Sequence, residues 1–534
     1  MIVVGATLVT VLLALAYVAQ VSRWLRVLQR EHYDPRSMLR FLARWSSPLV
    51  AGAKARPPAH PRSRAYPRQR AFPRRPFTLS HAFIVAIAAS AVLQAYVLLA
   101  IVAASYGLFC PQGLSIRGKS SPLEWTLRLR SVALLAGGLS LIVAVLGAFT
   151  REPFLGAVVM VLAVPPVLDL STRLLQPLEE RRAQKFVNQA VARLERVRPT
   201  VVAITGSYGK TSTKQYLAEL LRSDGAVVAS PRSYNNRAGL SRAINENLAE
   251  GTHVFIAEMG TYGPGEIRAL TSWCVPEIAV VTVIGPVHLE RMKTLDVVEA
   301  AKREVTEGAK TVVLNVDDPR LAKWPASLRA AGKRVIPVGS TSAEAEVRVT
   351  LEAHRWTLLV EGVNLGVIDE VVGVQPTNLA CALGAALALG VSRTELLERV
   401  RGVLPVANRL NVVTADSGVV VIDDTFNANP ASARAALKVL SSLDLTGRRV
   451  VVTPGLVELG AEQHSENLLL AQRIAGLPAE LVVVARTNFE ALATGYDQAP
   501  RRFDTRNEAV AWIRSSLVPG DAVLYLNDLP DHYP

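Results

Sequence analysis

The chain has 534 residues, half of them hydrophobic, and a formal net charge of +14. Residues 1–175 hold 20 Lys and Arg against 5 Asp and Glu, whereas the remainder holds 39 against 40, so the basicity belongs to one end. Hydrophobic runs flank that basic block, which points to an anionic membrane surface and away from nucleic acid as the partner. The three cysteines, Cys110, Cys274 and Cys381, are far apart and fit no metal-ligand spacing; so odd and sparse a count suggests a reducing compartment for the catalytic part, with the thiols as small buried side chains.

In chain order, residues 2–20 form an almost uninterrupted apolar run, and Arg23, Arg26 and Arg30 follow it. A secretory signal has its charges first, so this order predicts an anchor helix. Residues 82–105 and 131–149 are long enough for two further spans, and 154–170 is a shorter candidate broken by Pro165 and Pro166. The intervening 22–80 segment is rich in proline, carries 14 Lys and Arg, and belongs on the cytoplasmic side. Three crossings, with 154–170 re-entrant or interfacial, then leave everything beyond residue 175 in the cytoplasm. Four crossings from a cytoplasmic N-terminus do the same but put the basic loop outside, so the first arrangement is preferred. None of the three strongest spans has an ionisable residue deep inside it, which argues against a transporter. Residues 177–197 have helical spacing, with Val187, Ala190, Val191, Leu194 and Val197 on one face.

From residue 200 the texture changes. Short β-branched runs at 200–204, 253–258, 278–283 and 311–315 alternate with helical patterns, which predicts a parallel sheet covered by helices on both faces. Residues 345–372 read as a small antiparallel addition with a turn at Glu361-Gly362, and a helix follows over about 377–389. Strands at 418–423, 449–453, 480–485 and 522–526 predict a second, smaller Rossmann-like α/β domain. The expected organisation is a transmembrane and basic region over 1–175, a larger α/β domain over 176–407 and a C-terminal α/β domain over 408–534.

The first of these strands runs into Thr205-Gly206-Ser207-Tyr208-Gly209-Lys210-Thr211-Ser212 and then a helix. Gly206 and Gly209 let backbone N–H groups turn toward an anion, and the helix N-terminus adds positive potential. Lys210 can reach the β- and γ-phosphates of ATP, and Thr211 can put its hydroxyl on Mg2+. Ser207 and Ser212 complete the cradle. The usual phosphate-loop spacing would put glycine where Ile204 stands, so this is a shorter form.

That shorter loop resembles the Mur ligases and the folylpolyglutamate synthetases. Further motifs follow in order: Tyr234-Asn235-Asn236, Ala257-Glu258-Met259-Gly260, Ile284-Gly285-Pro286-Val287-His288, Ala301-Lys302-Arg303-Glu304, Leu314-Asn315-Val316-Asp317-Asp318-Pro319, Asn378-Leu379-Ala380, Asn408-Arg409-Leu410 and Asp423-Asp424-Thr425-Phe426-Asn427-Ala428-Asn429-Pro430. The last of these, with Val457-Glu458-Leu459-Gly460, is most similar to the D-alanyl-D-alanine-adding branch; other branches carry a histidine where Asn427 stands. The resemblance implies an ATP-dependent ligase that activates a carboxylate as an acyl phosphate for attack by an amine. It implies Mg2+ ligands in Thr211, Glu258, His288 and a carbamylated Lys302, with Lys210, His288 and Lys302 serving the chemistry. It further gives Asn378 to adenine, Arg409 to the phosphates, Asp424 to the ribose, and Asn235, Asn236, Asn427 and Asn429 to the substrates. Arg237 departs from the branch pattern beside that substrate loop.

Family members also begin with a domain that grips the UDP part of a muramyl-peptide substrate, and no such domain is legible here. The expected partners are therefore an amino acid or dipeptide acceptor, a muramyl-peptide or lipid-linked carboxyl donor, and membrane lipids. Two other functions fit the residues less closely: a ligase of another cell-envelope or poly-amino-acid polymer, and an idle membrane-anchored nucleotide-binding scaffold. A scaffold has no need of Lys210, Glu258, His288 and Lys302 together.

Overall fold

The computed structural model describes residues 2–31, 33–34, 38–39, 41, 86, 96–111, 114, 123–149, 154–223, 225–231, 234–406, 410–425 and 428–528. The chain divides into two compact units, Met1–Arg181 and Arg182–Asp528.

The first unit is helical, with Ile2–Arg30, Tyr96–Phe109, Leu127–Ala148, Leu155–Leu162 and the start of Val164–Val197. Leu13, Ala16, Leu99, Ala103 and Val161 pack one core, and Trp24, Leu28, Leu129, Val132 and Leu168 a second. Gln20 and Arg23 donate to the carbonyls of Gly107 and Cys110, closing the C-terminal end of Tyr96–Phe109 where intrahelical donors run out. Two described helices, Thr7–Arg30 and Leu127–Gly147, are long and apolar enough to cross a membrane. The third predicted span, 131–149, begins earlier than expected, because the Thr126 side chain caps the helix by accepting from Leu129 N. The second, 82–105, falls mostly outside the described residues. The fourth candidate is not one rod. Leu155–Leu162 and Val164–Val197 meet at a 68° bend, and Pro165-Pro166 sits in the first turn of the second helix, where the missing N–H groups have no intrahelical partner to lose. The predicted helix over 177–197 is the later part of that same long element.

The second unit carries two sheets. The strands of the first are β1 (Thr200–Thr205), β2 (Ala226–Ala229), β3 (Thr252–Glu258), β4 (Ile278–Val281), β5 (Thr311–Asn315), β6 (Arg334–Gly339), β7 (Val347–Glu352), β8 (Arg355–Val360) and β9 (Val363–Asp369). Their order is β2-β3-β1-β4-β5-β6-β7-β8-β9. Pairing is parallel as far as β7 and antiparallel from β7 to β9. The antiparallel addition thus extends the main sheet, with both Glu361 (φ 50°) and Gly362 (φ 77°) left-handed at its turn. Strands β2 and β6 escape a reading by local texture: β2 is only four residues long, and β6 contains Pro337.

The second sheet joins β10 (Asn411–Thr414), β11 (Val420–Asp424), β12 (Arg449–Thr453), β13 (Ala479–Val484), β14 (Arg501–Phe503) and β15 (Ala522–Leu526) in the order β10-β11-β15-β12-β13-β14. All its pairs are parallel except β10 with β11. The parallel strands are apolar on both faces, as a sheet covered on both sides requires.

Candidate active site

The β3-β1-β4 neighbourhood sets the site. Pairing puts Ile204 beside Glu258 and Thr205 beside Val281, so three adjacent strands end together at the carboxyl edge, where open α/β sheets receive ligands. The phosphate loop leaves β1 there. Gly206 and Gly209 have φ of 146° and 78°, and Gly209 caps the helix Lys210–Leu220. Ser207 Oγ accepts from Gly285 N and donates to Gly285 O, and Tyr208 Oη donates to Pro286 O at 2.7 Å. Burial pushes the Tyr208 phenol well above its ordinary pKa, so it stays a neutral donor. The Lys210 ammonium lies over the loop, donating to Gly206 O at 2.8 Å. Ser212 is buried on the helix behind it.

Glu258 is 1% exposed and held on all sides. Its Oε2 accepts from the Thr211 hydroxyl at 3.0 Å and faces the Lys214 ammonium at 3.0 Å; its Oε1 accepts from Asn235 Nδ2 at 3.3 Å. The backbone N–H of Glu258 donates to Ser230 Oγ. Lys214 is itself buried and was not singled out in the sequence. The available signal was its position one turn beyond Lys210, on the same helix face.

Lys302 lies on the helix Leu295–Arg303 and is 1% exposed. Among the described residues its side chain makes no hydrogen bond or ion pair. Burial, and then the nearby charge of Lys210, hold its pKa well below that of an ordinary lysine.

His288 stands at the head of the short helix Leu289–Met292 with a left-handed backbone, φ 50°. The segment leading to it is pinned from below: Asn315 Nδ2 donates to Thr282 O, and Asp318 Oδ2 accepts from Ile284 N. The Asn315-to-Asp318 motif therefore acts as a brace. The imidazole meets the Tyr262 ring at 4.4 Å between centroids, and its Nδ1 lies 2.6 Å from Glu458 Oε2.

Asn378 sits in the first turn of the helix Pro376–Ala388 and touches the phosphate loop: its side chain fills the space a Cβ on Gly209 would need, and its carbonyl accepts from the Thr213 hydroxyl. Asp424 ends β11, and its Oδ1 accepts from Leu410 N at 3.2 Å. Asn236 and Asn429 both use their Oδ1 atoms as helix caps, for Arg237–Asn247 and Pro430–Ser442. Arg237 donates to Gln184 Oε1. Arg409 and Asn427 lie outside the described residues. The structure therefore gathers Thr211, Lys214, Asn235 and Glu258 into one network, keeps Lys210 on the carbonyls of the phosphate loop, and sets Asn378 against that loop.

Residues 204–386 match the Mur ligase middle domain, and 408–526 match the Mur ligase, glutamate ligase domain. The UDP-N-acetylmuramoyl-tripeptide--D-alanyl-D-alanine ligase of Mycobacterium bovis is 33% identical over 364 residues, covering 61% of this chain and 69% of that protein. This chain belongs to the Mur ligase family. It is an ATP-dependent ligase that forms carbon–nitrogen bonds, with ATP and Mg2+ as cofactors. The enzyme of the same name from Bacillus subtilis is 26% identical over 274 residues, covering 51% of this chain and 59% of its own length. Two solved structures share the fold. MurF from Acinetobacter baumannii gives a TM-score of 0.57 at 24% identity, over 65% of this chain and 78% of that one. The MurF ligase of Thermotoga maritima in complex with ADP gives 0.56 at 24% identity, over 65% and 80%.

The residues present suit this Mur ligase's metal. Mg2+ prefers one or two carboxylate or hydroxyl oxygens, with phosphate and water filling its other positions. Thr211 and Glu258 supply such oxygens beside the phosphate loop. Among the described residues no group of three or more His, Cys, Asp or Glu could by itself hold a metal ion.

Proposed function

We propose that this Mur ligase works at the cell membrane in peptidoglycan-precursor synthesis, joining a peptide-type carboxylate to an amino acid or dipeptide. The observation that carries the reading is the buried network of Thr211, Lys214, Asn235 and Glu258 beside the phosphate loop. The names of the relatives suggest a muramyl-tripeptide donor and D-alanyl-D-alanine as the acceptor. In this reading the chain has a membrane region over 1–175, an ATP-binding domain over 176–407 and a C-terminal domain over 408–534. The apolar helices support a multi-pass anchor, and the basic 22–80 segment supports placing the catalytic domains in the cytoplasm.

ATP supplies the phosphoryl group that turns the donor carboxylate into an acyl phosphate, and Mg2+ offsets the charge that develops. Gly206, Ser207, Gly209 and Ser212 cradle the phosphates, and Lys210 steadies the transferred group electrostatically. Thr211, Glu258 and His288 hold the metal. The neutral amine favoured at Lys302 can attack CO2, forming an N–C bond and releasing a proton; the resulting carbamate would add anionic oxygens at a position where an ammonium is costly. Asn378 meets adenine, Asp424 the ribose and Arg409 the phosphates, while Asn235, Asn236, Asn427 and Asn429 line the substrate path. Among the described residues Asn236 and Asn429 commit their Oδ1 atoms to caps, which leaves their Nδ2 donors to a ligand.

The donor is either UDP-linked or lipid-linked. Membrane spans leading to the catalytic unit favour a donor presented at the lipid surface. The test is phosphate release by the purified full chain with D-alanyl-D-alanine and either donor form. Turnover with the lipid-linked donor is expected, and turnover with the soluble donor alone would remove that preference. Lys210→Ala should lower release at least about a hundredfold. Undiminished release would overturn the phosphate-loop assignment, and no release with any acceptor would favour a scaffold.

A further inference from the structure

Glu458 has no part in the chemistry above, yet it is the side chain that reaches His288 from the C-terminal sheet. It follows β12 on a tightly held arm. Asn467 both accepts from Leu456 N and donates to Leu456 O, Asn488 donates to Pro454 O, and Asn527 donates to Gly455 O at 2.7 Å. The arm is thus fixed on its own domain by three asparagine side chains. Glu458 itself has a left-handed backbone, φ 63°, as does His288, φ 50°. Two residues in this sparsely populated region meet face to face, an arrangement that persists where the surroundings over-determine it. The contact is double: Glu458 O also accepts from Leu289 N at 3.2 Å.

A carboxylate can only accept, so at 2.6 Å the hydrogen of this bond belongs to His288 Nδ1. The other ring nitrogen, Nε2, is left with a lone pair for a cation. Metal-binding histidines are commonly aimed this way by a carboxylate behind them. The stacked Tyr262 ring limits rotation of the imidazole, and the Arg291 guanidinium lies 4.8 Å from the Tyr262 centroid.

We propose that Glu458 is a positioning residue that aims His288 Nε2 at the metal, so that this ligand is fully formed only while the C-terminal domain is seated on the middle domain. Domain closure and metal affinity are then coupled through one hydrogen bond. The proposal rests on the reading of His288 as a Mg2+ ligand, and the test separates the two.

The full chain, saturated with a non-hydrolysable ATP analogue, is titrated with Mg2+ by calorimetry for the native protein, Glu458→Gln, Glu458→Leu and His288→Ala. All keep the backbone contact from Leu289 N, so loop anchoring alone predicts no change. The proposal expects the half-saturating Mg2+ concentration to rise by about tenfold or more in Glu458→Leu, and by less in Glu458→Gln, whose amide oxygen can still accept. Closure is read in parallel without metal, by energy transfer between dyes on cysteines introduced at exposed Val363 and Ser515, since the native Cys274 and Cys381 are buried. Glu458→Leu should lower the closed fraction. If His288→Ala raises the Mg2+ midpoint and Glu458→Leu does not, this inference fails and the ligand reading stands. If His288→Ala leaves the midpoint unchanged, both fail.

Discussion

In the nine-stranded sheet the strand-end acid is gripped by three side chains; in the six-stranded sheet one oxygen of the strand-end acid takes a backbone N–H. Glu258 closes β3 and meets a hydroxyl, an ammonium and an amide. Asp424 closes β11, and its Oδ1 accepts from the N–H of Leu410, just before β10. Both acids sit at carboxyl edges of parallel strands and both are buried, so position alone does not distinguish them. Their partners do. An acid tied to mobile side-chain groups can exchange them for a cation or a phosphate-bound metal. An acid whose Oδ1 takes a backbone N–H also ties the entry into β10 to the end of β11, beside the ribose contact proposed for it. The same contrast runs through the asparagines: Asn235 addresses Glu258, whereas Asn429 caps the helix after β11.

The sharpest way to break the contrast is at Lys214. Lys214→Met leaves the Glu258 carboxylate buried without its cation, and should cost about 3–5 kcal/mol in urea unfolding of the two-sheet unit. Adding Glu258→Gln should return most of that loss. Equal losses in the single and double variants would mean that the pair is not where the energy lies.

Asp521 tests the other sheet. Burial alone would raise its pKa, but the N–H groups of Arg448 and Val518 and the Arg448 guanidinium outweigh that and hold it below the ordinary value. Stability from a depressed carboxyl is fully present above the unfolded-state pKa, about 3.9, and is lost as pH falls through the lower folded value. Asp521→Asn should therefore cost about 2 kcal/mol at neutral pH. Its deficit against the native chain should shrink in unfolding curves taken below about pH 4. A deficit independent of pH would assign the loss to packing. The smallest effect is expected at Asn429. Asn429→Ala removes a cap worth about 1 kcal/mol, read as a lower unfolding midpoint, and a rise in acceptor KM would add a substrate contact to that role.

Much of this is legible in the sequence alone. The phosphate loop announces itself because strand, glycines, lysine and helix are contiguous, and Glu258 because an apolar run stops at an acid. What escaped was built from residues far apart in sequence. Lys214 looks like a solvated helical lysine until β3 brings Glu258 to it across 44 residues of chain. Glu458 and His288 are 170 residues apart and meet only where the arm after β12 reaches the head of the helix Leu289–Met292. Local texture also missed β6, where Pro337 interrupts the pattern although its carbonyl still accepts, from Glu346 N. The break at Pro165-Pro166 was visible, and with it the re-entrant or interfacial reading, but not that the second helix runs on unbroken to Val197.

The abutment of Gly209 and Asn378 carries an evolutionary corollary. The first turns of two helices, Lys210–Leu220 and Pro376–Ala388, share a single seat: a methyl group on one residue would occupy the room taken by the amide of the other. The glycine is fixed twice over, by that crowding and by its left-handed backbone, φ 78°. Across descendants of this chain it should persist even in a lineage that abandons the asparagine.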